Sequence, residues 1–251
     1  MSDRLRVRFA KLGKVRFTSH RDVARMWERA LRRTGLAVAS SQGFTPRPLV
    51  AFGLALPTGA ESVAEYLDVT LADPDGAPET ALELGGLAAA LSGALPDGLD
   101  VLALAGLDGD VDSLQQEVTS CSWDLEVRGV TASELARRVE LLLDAPSVSV
   151  QRERKGRTFD DDLRPSVRSL AVSPSPEDVA LEGRTWLRAE LATRPRGVRP
   201  RELVEVLGAD VVLSKARRTQ QWIEHDGIRR EPLEVDLAHA VIAPHARGRA
   251  S

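Results

Sequence analysis

Between residues 19 and 34, apolar side chains return at Val23, Met26, Trp27, Ala30 and Leu31. This is the i, i+3, i+4, i+7, i+8 spacing of one buried helical stripe, while Arg21, Arg25, Arg29, Arg32 and Arg33 fall mostly on the other side. The pattern predicts a helix with one packing face and one cationic face. Ser19 followed three residues later by Asp22 fits a capping-box start, and Gly35 supplies the stop. Before the helix, residues 4–9 alternate: Leu5, Val7 and Phe9 point one way, Arg4, Arg6 and Arg8 the other, as in a half-buried strand with a basic exposed face.

A turn at 11–14 leads into the helix through residues 15–18. After it come a short strand near 36–40, a loop at 42–48, an extended apolar run at 49–56 and an alternating strand at 65–71. Asp73-Pro74-Asp75-Gly76 is a strong turn. Residues 79–95 are an Ala- and Leu-rich helix that Gly85 and Gly86 weaken, and 99–107 is a strand. The order is β-α-β-β-α-β, the ferredoxin-like signature.

The remainder repeats it, with strands at 121–128 and 147–153, a helix at 131–143, a strand at 185–192, a short helix at 200–207 and a strand within 211–223. The fold class expected is therefore α+β, with two tandem ferredoxin-like (βαββαβ) units at 1–110 and 119–228 and a flexible tail at 229–251.

Composition narrows the function more by exclusion than by assignment. No apolar run reaches the roughly 18–20 residues of a membrane span, and the N-terminus lacks a signal peptide's apolar block, so a cytoplasmic protein is expected. The single Cys121 excludes an internal disulfide and any all-cysteine iron–sulfur or zinc site within the chain. Net charge is −3, but its distribution is uneven. Residues 1–50 hold 12 basic and 3 acidic side chains, residues 51–118 hold no basic and 13 acidic, and the rest hold 22 and 21. Segregation of this kind implies a cationic surface set beside an anionic one.

The loop Ser41-Gln42-Gly43-Phe44-Thr45-Pro46-Arg47-Pro48 places an aromatic and an arginine among residues that fix backbone shape. Phe44 can stack on a base and Arg47 can contact phosphate, as single-stranded RNA binding requires; the alternative is a buried Phe44 in a plain turn. Lys14, Arg21, Arg25 and Arg29 extend the same basic inventory. His20 is a weak catalytic candidate for metal-independent RNA cleavage, because Ser19 and Asp22 are already explained as caps.

The run from Arg152 to Arg157, followed by Asp160-Asp161-Asp162-Leu163-Arg164-Pro165, reads as a charged hairpin loop, with Arg164 as a second possible RNA-backbone contact. Lys215 and Arg217 share one face of a strand by alternation, which adds Arg217 to the set. The other histidines, His225, His239 and His245, have no metal-ligand spacing, and no metal site is expected. There is no P-loop, G-x-G-x-x-G, H-E-x-x-H or G-x-S-x-G motif.

The order G-K-V-R-F-T-S-H-R-D, R-A-L-R-R-T-G-L, S-Q-G-F-T-P-R-P, F-G-L-A-L-P-T-G-A-E-S and E-Y-L-D-V closely resembles the N-terminal signature of an uncharacterised bacterial family, the radical SAM-linked proteins. The resemblance covers residues 11–71 and returns more weakly at D-L-R-P near 162–165. It implies a radical SAM protein as partner, fused or encoded nearby, with S-adenosylmethionine and an iron–sulfur cluster in that partner and no cofactor in this chain.

The expected function is an RNA-binding accessory subunit presenting RNA, such as tRNA or rRNA, to the partner. Paired ferredoxin-like units with a basic first helix are also similar to the CRISPR repeat-processing endoribonucleases. Two alternatives therefore remain: a metal-independent endoribonuclease, and a protein-docking adaptor without RNA.

Overall fold

In a computed structural model of the protein, the described residues are 3–44, 46–73, 81–107, 112–154, 156–174, 184–233 and 241–242. Along the first half run β1 (Arg4–Lys11), a 3-10 turn (Gly13–Phe17), α1 (His20–Thr34), β2 (Val50–Phe52), β3 (Glu61–Thr70), α2 (Ala81–Ala94), β4 (Leu99–Leu107) and α3 (Leu114–Glu117). The second half adds β5 (Val118–Arg128), α4 (Ala132–Asp144), β6 (Ser149–Arg154), β7 (Arg157–Asp162), β8 (Val167–Ser173), β9 (Thr185–Ala192), α5 (Pro200–Leu207), β10 (Val212–His225), β11 (Ile228–Arg230) and β12 (Val241–Ile242). The class is mixed α/β. The chain divides into two compact units, one of Met1–Val118 with Ile223–Ser251, the other of Thr119–Trp222.

In the first unit, β1 pairs antiparallel with both β3 and β4, and β2 pairs antiparallel with β3, giving the order β4-β1-β3-β2 with β12 outside β4. One face of these strands packs against α1 and α2: Leu5, Val7 and Phe9 from β1 and Leu67 and Val69 from β3 meet Val23, Trp27 and Leu31, together with Leu84, Ala88 and Leu91. Trp27 is fully buried and meets the Phe9 ring edge-on at 5.0 Å. The strand expected near 36–40 is reduced to single-residue bridges, Val38 to Leu71 and Ser40 to Pro48. The regular part of the following apolar run is only the three residues of β2.

The other face of β1 is not the exposed basic surface its alternation predicts. Arg6 lies directly across from Asp68 and is 1% exposed. Its guanidinium holds the Asp68 carboxylate by two hydrogen bonds of 2.7 and 2.9 Å and donates a third, 2.8 Å, to the Pro232 carbonyl. Arg8 donates to the Val63 carbonyl and to Glu231. Leu233 is buried with Tyr66, Ala103 and Leu114 on this side. Residues 231–233, within the stretch expected to be a tail, thus cover the second face. Ile228–Arg230 pairs with β10 through an Asp226-Gly227 turn with both φ positive, and Val241–Ile242 pairs with β4; the remainder of that stretch lies outside the described residues.

In the second unit the order is β10-β5-β9-β8, with β5/β9 and β9/β8 antiparallel. The strand expected at 147–153 does form, as β6, but it pairs only with β7 in a separate two-stranded hairpin. Its expected place beside β9 is taken by β8, where a bulge between Val167 and Ser169 disrupts the alternation that would have marked the strand.

Candidate nucleic-acid interface

The site begins at the start of α1. Ser19 has extended backbone and its hydroxyl oxygen accepts from the Asp22 amide at 3.2 Å, while the same hydroxyl donates to the Asp22 carboxylate at 2.7 Å. At the other end Gly35 takes φ +71°, a conformation an L side chain avoids, and ends the helix. Between these caps Arg21, Arg25, Arg29, Arg32 and Arg33 are all exposed. Of these, Arg25 forms an ion pair, with Asp22 at 3.6 Å across an open surface. The other four make no ion pair among the described residues. Fifteen residues at about 1.5 Å each make this ridge roughly 20 Å long.

Lys14 is exposed on the 3-10 turn that precedes the helix. Beside it stands an aromatic that sequence reasoning did not single out: Phe17 is 63% exposed, with the Arg16 guanidinium stacked 4.6 Å from its ring centre. The signal was the interleaving of Lys14, Arg16 and Phe17, which resembles an ordinary strand start. Glu61 pins this turn by accepting from the Gly13 amide at 3.0 Å and from Arg16 at 3.3 Å.

The loop with Phe44 and Arg47 springs from the opposite end of α1. Ser41 and Arg47 close it: the Ser41 amide donates to the Arg47 carbonyl at 2.8 Å and the Arg47 amide to the Ser41 hydroxyl at 3.1 Å. Gly43 at the tip has φ +140°. Phe44 is fully exposed, so the plain-turn alternative with a buried ring is excluded, and Arg47 is exposed with it. Thr45 lies outside the described residues.

His20 does not converge with Ser19 and Asp22 in a catalytic geometry, because those two serve the cap. It lies edge-on to Phe52 at 5.1 Å, over a cavity of about 20 Å³ also lined by Lys11 and Glu65, room for about one water. Lys11 is buried and donates to the Thr18 carbonyl at 3.0 Å; burial pushes its pKa down, and the nearby Glu65 charge partly opposes this.

Arg164 and Arg217 belong to the second unit. The Arg164 guanidinium is spent on the main chain: it donates twice to the Leu143 carbonyl, at 3.1 and 3.0 Å, and once to that of Val167 at 3.1 Å. Arg217 is half-buried on β10. The aspartates of 160–162 lie in β7, where Asp161 pairs with Arg152 and Arg196, and Asp162 accepts from the Val148 and Arg164 amides. No metal-binding cluster occurs among the described residues. No helix among them is long and apolar enough to cross a membrane.

Fold and surface together define a mixed α/β protein that carries an exposed cationic helix. The chain belongs to a family described as an uncharacterized protein conserved in bacteria (DUF2344), whose model matches residues 4–200. No curated protein matches it. Among solved structures it is similar to a chain in a crystal structure of a Cbf5–Nop10–Gar1 complex, with 12% identity and TM-score 0.45, over 86% of this chain and 48% of that one. It is also similar to a chain of an H/ACA ribonucleoprotein bound to a substrate RNA containing 2′-deoxyuridine, with 10% identity and TM-score 0.43, over 87% and 47%. The chain spans about half the length of these structures' chains.

Proposed function

We propose that this protein binds RNA along the exposed face of α1, with Lys14, Arg21, Arg25 and Arg29 on the phosphate backbone and Phe44 and Arg47 engaging an unpaired segment at the helix's far end. The observation that carries the reading is the ridge itself. Acids outnumber bases in the chain, 37 to 34, yet four arginines on one helix remain without an acid partner among the described residues. Arg6, Arg8 and Arg16, from the same basic segment, are each paired. Guanidinium groups left without acid partners along one face suit contacts to phosphate oxygens.

In this reading each unit is ferredoxin-like, which the orders β4-β1-β3-β2 and β10-β5-β9-β8 support. The protein is a cytoplasmic accessory subunit, and the partner that receives the RNA is a radical SAM enzyme, on the strength of the resemblance over residues 11–71. The test is fluorescence anisotropy with labelled structured RNA at several salt concentrations, comparing the wild type with Arg21→Glu/Arg25→Glu/Arg29→Glu. The reading expects a loss of affinity of at least about a hundredfold and a shallower salt dependence. A folded variant with unchanged affinity and slope rejects it and leaves a protein-docking adaptor.

A second reading, a metal-independent endoribonuclease, draws on His20 standing over the cavity that Lys11 and Glu65 line. Incubation of RNA in EDTA decides it: cleavage that disappears in His20→Ala supports the nuclease, and intact RNA removes it.

A further inference from the structure

Along the flank of the ridge, α1 faces the turn that joins α2 to β4 across a cleft of about 250 Å³, lined by Met26, Arg29 and Arg33 on one side and residues 93–96 on the other. Its floor is apolar: Leu95 is buried, and Met26 and Ala94 are half-buried. Its rim carries two guanidinium groups one helical turn apart, both exposed and neither paired with an acid among the described residues. No carboxylate lines it.

An apolar floor beside a paired cationic rim matches a ligand that is itself divided, with a flat weakly polar part and an anion at a fixed distance. The volume lies just under the roughly 300–1,000 Å³ typical of organic ligand sites, which suits one base better than anything larger. Met26 offers a polarizable thioether that adapts to a ring, and arginine forks match phosphate oxygens.

We propose that this cleft is a subsite for a single unpaired RNA nucleotide, whose base rests on Met26 and Leu95 while its phosphate is held by Arg29 and Arg33. The proposal rests on the RNA-binding reading of α1 and adds to it: the ridge does more than attract charge, because it selects single-stranded over fully paired RNA at this position. A free phosphate would satisfy the rim and leave the floor unused.

Gly93 makes the test clean. It lies on α2 and lines the cleft, and a Cβ added there meets no heavy atom within 4 Å, so a larger side chain is accommodated at the cleft wall without a clash. Gly93→Leu adds bulk to the wall of the cleft without altering a charge and improves helix propensity; Gly93→Ala improves propensity and adds a single methyl group. Binding of a labelled single-stranded oligonucleotide to the full chain is expected to weaken about tenfold in Gly93→Leu, the worth of one base contact, with an unchanged salt slope, and to stay at the wild-type value in Gly93→Ala. Uridine 5′-monophosphate should compete for the wild type, and inorganic phosphate at equal concentration should not.

Wild-type affinity in Gly93→Leu, or equal competition by inorganic phosphate, overturns the subsite. If that happens while reversal of Arg21, Arg25 and Arg29 still abolishes binding, the ridge reading stands without it. If the reversal also has no effect, both fall.

Discussion

Two arginines thirteen residues apart in the basic segment meet opposite fates, and register decides which. Arg8 sits across from Tyr66 on β3 and is drawn under residues 231–233, whereas Arg21 has only solvent beyond it. Tyr66 itself offers a test of how well that second face is sealed. Its ring is buried and its hydroxyl has no hydrogen-bond partner among the described residues. Burial raises its pKa above the ordinary 10.0, with the Glu231 charge acting in the same direction and the Arg8 charge opposing it.

In the unfolded chain the phenol loses its proton near pH 10, while in the folded chain it keeps it. The folded state therefore binds more protons, and stability falls as pH rises above about 10. Tyr66→Phe is expected to change stability at pH 7 by less than about 1 kcal/mol, since no bond is lost. It should also flatten the decline above pH 10. Urea unfolding followed from pH 7 to 11 measures both, and an equally steep alkaline decline in the variant contradicts the burial argument.

At the scale of elements, α1 was the most legible part of the chain because its buried stripe, caps and stop agree with one another. Strands β4 and β9 and helices α4 and α5 also fall within a residue or two of their expected spans. What escaped was pairing. β6 is expected as a strand of the second sheet, but its partner β7 is the polar run Arg157–Asp162, joined to it across the hairpin by the Arg152–Asp161 ion pair. Alternation gives the period of a strand and never its neighbour. Periodicity likewise could not say that residues 231–233 return to close the face containing Arg6, since three residues have no period. Within the candidate site, exposure of Phe44 and the pairing state of each arginine were also beyond the pattern, because both depend on distant segments.

Arg164 is the clearest case of a motif residue whose role lies at this scale. Its three bonds tie the last turn of α4, through the Leu143 carbonyl, to the start of β8 at Val167. Arg164→Ala leaves both carbonyls short of a donor and is expected to cost roughly 2–3 kcal/mol. RNA affinity at a temperature where the variant is folded should match the wild type. Thermal unfolding and anisotropy on the same preparation separate the two roles: weakened RNA binding with unchanged stability would return Arg164 to the interface.

Over the whole molecule the excess of bases in residues 1–50 and of acids in 51–118 divides into an internal and an external account. Asp68 and Glu61 neutralise Arg6 and Arg16, while five arginines of the same basic segment point outward on α1. α1 also carries two acids, Glu28 and Asp22, and Asp22 stands 3.6 Å from Arg25. An exposed pair of this kind contributes little to stability. It does set one negative charge against any phosphate that approaches, and Ser19 still caps the helix without it.

Asp22→Asn is therefore expected to strengthen RNA binding about two- to threefold near 50 mM salt, to steepen the dependence on salt as Arg25 becomes a full contact, and to lower helix stability only slightly. A gain in affinity is informative because damage to the fold cannot produce it. Anisotropy titrations from 50 to 300 mM salt read the effect directly. Unchanged or weaker binding at every salt concentration would mean that phosphate does not pass this end of α1.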